Sequence, residues 1–193
     1  MKKLLILLLL SLTYIGSANA NSIEGAFGYK LGDVYKSSSV TLSHKFLPRK
    51  PFPGLDEYQI LTGVDDRIVK ISAKKIKWES SGYYCSDSNF TGFRKLLKLL
   101  QAKYGQFEKI IDERKEYADG TSEKAEYKYE DGDRNINLYC DTSYVNGTGS
   151  YRLFLTYLDT RLQGLLAKDL NESLKNSDSE MMLDLWKNFS YRV

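Results

Sequence analysis

The residues best equipped for chemistry are eight carboxylates crowded into one stretch: Asp112, Glu113, Glu116, Glu123, Glu126, Glu130, Asp131 and Asp133. Two carboxylates flanking a cleft can hydrolyse a glycoside, one acting as acid and the other as nucleophile or base. Spacing along a chain does not fix separation in space, however, and Arg114, Lys115, Lys124, Lys128 and Arg134 are interleaved with the acids. That alternation suits cross-strand ion pairs on a solvated sheet face. The single histidine, His44, sits in an alternating apolar run and reads as a core-facing residue. One histidine alone cannot build a zinc site, and no metal or cofactor is expected.

Cys85 and Cys140 are the only cysteines. Redox-active pairs are normally close in sequence, as in Cys-x-x-Cys, so that one thiolate can resolve the other. These two are far apart, and a structural disulfide between them is expected. The glycines at 25, 28 and 32 lack the Lys-Ser/Thr or Gly-x-Gly-x-x-Gly register of a phosphate loop. They read as a strand and tight turn, so no nucleotide is expected.

These residues need elements to place them. Residues 40–46 alternate, with Val40, Leu42, His44 and Phe46 on one face. Residues 58–62 and 67–73 are β-rich and flank a short turn at 63–66. Ser86, Asp87 and Ser88 offer helix caps ahead of Phe90, Phe93, Leu97, Leu100 and Tyr104 at helical spacing, and Gly105 ends the run. Arg94, Lys95, Lys98 and Lys103 lie on the other surface of that helix, with Lys74, Lys75 and Lys77 upstream. They form either a solvated amphipathic face or a surface for an anionic partner.

Four strands follow at 107–117, 123–130, 133–140 and 150–158, with hairpin signals at Asp131-Gly132 and Asn146-Gly147. The expected fold class is α+β: an antiparallel meander packed against one main helix, with C-terminal helices. The first of these runs from 159 or 160 to Leu170. A capping box at Ser177 and Glu180 opens the second, which carries Met181, Met182, Leu185, Trp186 and Phe189.

Lys2-Lys3, the apolar run from Leu4 and the small residues Ala18 and Ala20 make a secretory signal peptide, with cleavage expected after Ala20. The apolar run is shorter than a span needs, so the mature chain is expected to have no membrane span. Its cysteines are too far downstream to carry an N-terminal lipid. The expected location is periplasmic or secreted, an oxidising setting that suits the disulfide. Of the 28 basic residues, Lys2 and Lys3 leave with the signal, and the remaining 26 face 25 acidic ones. That balance argues against nucleic acid, whose binders concentrate positive charge. What remains is the length of one domain.

All three prolines fall in one loop, Pro48, Arg49, Lys50, Pro51, Phe52 and Pro53. Proline stiffens it toward polyproline II, and its cations and Phe52 make it a candidate contact surface for an unknown envelope or extracellular protein. Alternatively, it is a connection that tucks Phe52 against the sheet. Sequons at Asn89, Asn146, Asn171 and Asn188 would mark glycans in a eukaryotic secreted protein, but the short Lys-Lys-Leu-rich leader looks bacterial.

The glycine segment at 25–35, the strand pair at 58–73, the helix ending Lys103-Tyr104-Gly105 and the strand Ile136-Asn137-Leu138-Tyr139-Cys140 together resemble small exported bacterial proteins of unassigned function. Phe27-Gly28-Tyr29-Lys30-Leu31-Gly32-Asp33-Val34 is similar to the helix-then-meander modules of outer-membrane assembly lipoproteins and secreted β-lactamase inhibitors. These likenesses imply a fold and no catalytic residues. The leading functional expectation is a non-catalytic binding module. Its alternatives are a small envelope hydrolase with paired carboxylates and a purely structural envelope component.

Overall fold

The computed structural model describes residues 21–36, 42–52, 54–63, 65–79, 85–86 and 92–176. The fold is α+β, as expected. A two-stranded hairpin, β1 (Gly25–Ala26) and β2 (Tyr29–Lys30), precedes β3 (Ser43–Lys45), β4 (Glu57–Thr62) and β5 (Ile68–Glu79). Helix α1 (Phe93–Tyr104) then leads into β6 (Glu108–Tyr117), β7 (Gly120–Asp131), β8 (Arg134–Val145), β9 (Thr148–Asp159) and α2 (Thr160–Asn176). Strands β3 to β9 form one antiparallel sheet in the order β3-β4-β5-β9-β8-β7-β6.

That order gives α1 its place. The chain leaves β5 in the middle of the sheet and must reach the far edge to begin β6, so α1 lies over the strands between. Its buried face, Phe93, Leu96, Leu97, Leu100 and Tyr104, packs on the front of the sheet. Alternation supplies that front: Ala125, Tyr127 and Tyr129 of β7 pair directly with Cys140, Leu138 and Ile136 of β8, and β9 adds Tyr151, Leu153, Leu155 and Tyr157. The intervening residues point to the back. There α2 covers one end, where Leu162, Leu166 and Leu170 pack with Val69, Leu42, Leu61 and Leu158.

One irregularity feeds both faces. Leu61 pairs with Lys70 and Thr62 with Ile68, which leaves Val69 as an extra residue in β5. Ile68 is thereby buried in the front cluster and Val69 in the back one.

Several sequence expectations shift in detail. The long hairpins extend beyond their predicted ends because backbone pairing continues past the apolar residues that signal a strand. Asn146 and Gly147 both adopt positive φ, 50° and 78°, as the expected turn requires. The other signal is displaced by one residue. Asp131 pairs with Arg134, so the turn is Gly132-Asp133 with only glycine at positive φ, the pattern with glycine at the first central position. The hairpin between β6 and β7 depends on Gly120, where a Cβ would collide with the carbonyl of Tyr144.

Helix α1 starts at Phe93 behind Gly92, not at the serine-rich caps. Ser86 instead donates from its backbone N–H (3.1 Å) and its hydroxyl (3.3 Å) to the carboxylate of Glu123, while Asp87, Ser88 and Phe90 lie outside the described residues. β3 is shorter than the alternating run, and Leu42, just before it, packs in the back cluster instead of beside His44 and Phe46. Val40 also lies outside the described residues, as do Ala18, Ala20 and the second predicted C-terminal helix.

Candidate functional site

The disulfide expected from the sequence is present. Cys85 and Cys140 are bonded with their Cα atoms 5.9 Å apart, both fully buried. Glu123 lies beside the bond and holds Ser86, so this carboxylate anchors the cysteine turn.

Six of the other acids are also engaged through their carboxylates. Glu113 pairs with Lys115 at 3.4 Å, Glu116 with Arg114 at 3.3 Å, Glu130 with Lys128 at 2.5 Å and Asp112 with Lys109 at 3.2 Å. These pairs run along single strands, the first three because i and i+2 share a face and Lys109 with Asp112 across the β6 irregularity at Ile110; they are not the cross-strand pairs that the alternation suggested. Glu126 accepts from the Asn137 side chain at 2.6 Å, and Asp131 from the backbone N–H of Ile23 at 3.0 Å. Each of these has a structural partner, and Asp133 holds Thr160 through its backbone carbonyl at 2.8 Å; the contacts point to scaffolding rather than an acid–base pair. Among the described residues no group of three or more His, Cys, Asp or Glu side chains could hold a metal ion. His44 is buried, its ring 5.3 Å from that of Tyr35.

The proline loop is fastened at several points. The Arg49 guanidinium lies 5.7 Å over the Tyr29 ring, beside Gly28, where a Cβ would press on the Arg49 side chain. Phe52 packs against the front cluster, and its N–H donates to the Tyr58 hydroxyl at 3.1 Å. That hydroxyl in turn reaches the carbonyl of Leu55 at 3.0 Å. Burial pushes the Tyr58 phenol above its ordinary value, and the Phe52 contact partly offsets the shift. Phe52 is thus turned inward, whereas Leu47, Lys50 and Pro51 face solvent; Pro48 is partly covered and Pro53 lies outside the described residues.

A groove of about 630 Å³ opens between α1 and β6. It exists because α1 packs on β7, β8 and β9 while the edge strand extends past the helix. Arg94, Leu97, Lys98 and Gln101 line the helix side, Gln106, Phe107, Glu108 and Lys109 the other, and Tyr127 the floor. Arg94 donates to the Tyr127 hydroxyl at 3.2 Å, which holds the guanidinium at the groove. Three cations therefore line the opening with one carboxylate, Glu108, and of the three Lys109 is shared with Asp112 outside the lining. The sequence marked Arg94 and Lys98 but missed Gln101, Gln106, Phe107, Lys109 and Tyr127. An available signal was β6 itself, charged on both faces, as befits an edge strand beyond helix cover. The upstream lysines do not join this surface as one run: Lys74 falls on the back face, paired with Glu57 at 3.2 Å, while Lys75 and Lys77 point to the front.

Among the described residues, no helix is long and apolar enough to cross a membrane. Set against known proteins, the chain matches no protein-family model and no curated protein.

Proposed function

We propose that the protein is an exported, non-catalytic binding module whose groove between α1 and β6 takes an acidic segment of an envelope or extracellular protein. The observation that carries this reading is the groove's lining: Arg94 and Lys98 beside an aromatic floor, with Lys109, which also pairs with Asp112, at the rim and one carboxylate in the lining. Such a surface attracts negative charge and offers flat apolar contact. The engaged carboxylates elsewhere favour binding over hydrolysis. Export rests on the leader pattern and accords with the buried disulfide. The start of the domain also fits cleavage after Ala20, since Asn21 already donates to the carbonyl of Lys103 and Ile23 is fully buried.

The test is titration of the mature chain with a glutamate-rich peptide, followed by amide chemical shifts. Perturbations are expected to cluster on residues 94–109 and Tyr127, and Lys98→Glu with Lys109→Glu is expected to weaken binding at least tenfold. Shifts scattered over the surface, or an unchanged affinity in the variant, would overturn the groove assignment. Mass spectrometry of the exported protein checks the leader, with Asn21 expected as the first residue.

A further inference from the structure

Among the described residues, the back of the sheet is only half covered. Beyond the cluster under α2 comes a polar row, Gln59, Ser72, Thr156 and Asn137, set side by side by the strand register. Past that row the face turns apolar again. Phe154 and Tyr139 are direct cross-strand partners with rings 6.1 Å apart. Ile76 and Trp78 continue the patch along β5, at 40% and 70% exposure. Asp141, 5% exposed, is held here by Arg152, so even the charged pair at the centre of this area is tied down flat. A large indole left in water near the end of β5, where β9 alone still flanks the strand, continues the apolar patch and marks a surface with an occupant.

We infer that residues 177–193 of this same chain are that occupant. Three observations point to this segment. Helix α2 ends at Asn176 on this side of the sheet, with its leucines already seated on the back face. The following residues carry Met181, Met182, Leu185, Trp186 and Phe189 at positions i, i+1, i+4, i+5 and i+8, an apolar stripe of the width that a sheet face accepts. The lengths also match. From Lys70, under α2, to Trp78 is eight strand residues, roughly 26 Å, and seventeen residues wound as a helix reach about 25 Å. Methionine suits the uneven seat between Ile76, Phe154 and Tyr139 because its unbranched thioether adapts to irregular gaps.

The chain's two tryptophans, Trp78 in the patch and Trp186 in the segment, make the test direct. In the full chain carrying Trp186→Phe, Trp78 is the only indole. Its emission is expected to be blue-shifted, with acrylamide quenching several-fold weaker than in the same protein carrying Met182→Asp and Leu185→Asp. Equal quenching in the two proteins overturns the inference. If the aspartate variant unfolds, hydrogen exchange on the unaltered protein decides: protection of amides within 177–193 supports docking, and their free exchange refutes it. Sedimentation separates the remaining occupant. Shielding of Trp78 that vanishes on dilution, together with a doubled mass, would assign the patch to a second copy and overturn the inference. Shielding in a monomer supports it.

Discussion

On the front of the sheet, α1, the N-terminal segment and the Cys85 turn together seal Phe93, Tyr104, Phe107, Tyr151 and a band of aliphatic side chains from water; on the back, the described residues supply only α2, over one end. Both faces belong to the same strands. The difference teaches that cover, rather than strand propensity, decides which face becomes core. The front is also tied covalently and by charge. Arg134 donates to the carbonyls of Ile23 at 2.7 Å and Leu31 at 3.3 Å, and pairs with Asp159 at 3.5 Å. Asp159 in turn caps α2 by accepting from the Leu162 N–H at 2.9 Å.

The largest expected effect breaks the front. Replacing Cys85 and Cys140 with alanine removes a link across 55 residues, and chain entropy puts the loss at about 4 kcal/mol. Urea unfolding of the two proteins measures it. A loss below about 1 kcal/mol would mean that the front holds its turn without the bond, and the contrast between faces would shrink. A smaller effect is expected at the back. Leu166→Ala should cost about 2 kcal/mol, the low end for buried leucine, because a cluster at the end of a sheet can relax around the gap. A cost equal to that of the disulfide would make the faces energetically alike.

The subtlest test uses alkali. Burial is the main cause that raises the phenols of Tyr157 at the front and Tyr139 at the back, and Tyr157 is the more strongly raised. A raised folded value means that the native protein keeps a proton the unfolded chain releases above about pH 10. The unfolded state then binds fewer protons, so stability falls as pH rises. The contribution is complete below pH 10 and is lost above it. Absorbance at 295 nm should show Tyr139 ionising before Tyr157, and urea midpoints should drop as the pH is raised above about 10. A midpoint that stays level, or Tyr157 ionising first, would contradict the burial contrast.

Much of the fold was legible because its signals are local. Asn146-Gly147 demands positive φ at both positions, and alternation at Ala125, Tyr127 and Tyr129 names a buried face without reference to any other strand. The pairing of Cys85 with Cys140 followed from there being no other thiol. What escaped was set by partners distant in sequence. Ser86 has the chemistry of a helix cap, yet buried Glu123 claims its donors, and α1 begins seven residues later. Leu42 fits the alternating run, yet α2 offers it apolar contact on the opposite side. The groove was illegible for the same reason. It is the space left where a helix ends its cover and a strand continues, and nothing in residues 94–109 records the position of Tyr127.

The central seam of the sheet also governs the order of assembly. β5 pairs over its length with β9, so that Glu79 meets Gly149, seventy residues further on. A chain is made from its N-terminus, and β3, β4 and β5 are therefore complete long before the strand that will flank them exists. The meander from β6 to β9 closes through two-residue turns and can zip up at once, because short loops cost little entropy to close. The half of the protein that is born first must accordingly wait, with the edge of β5 open, for the half that is born last to provide its template.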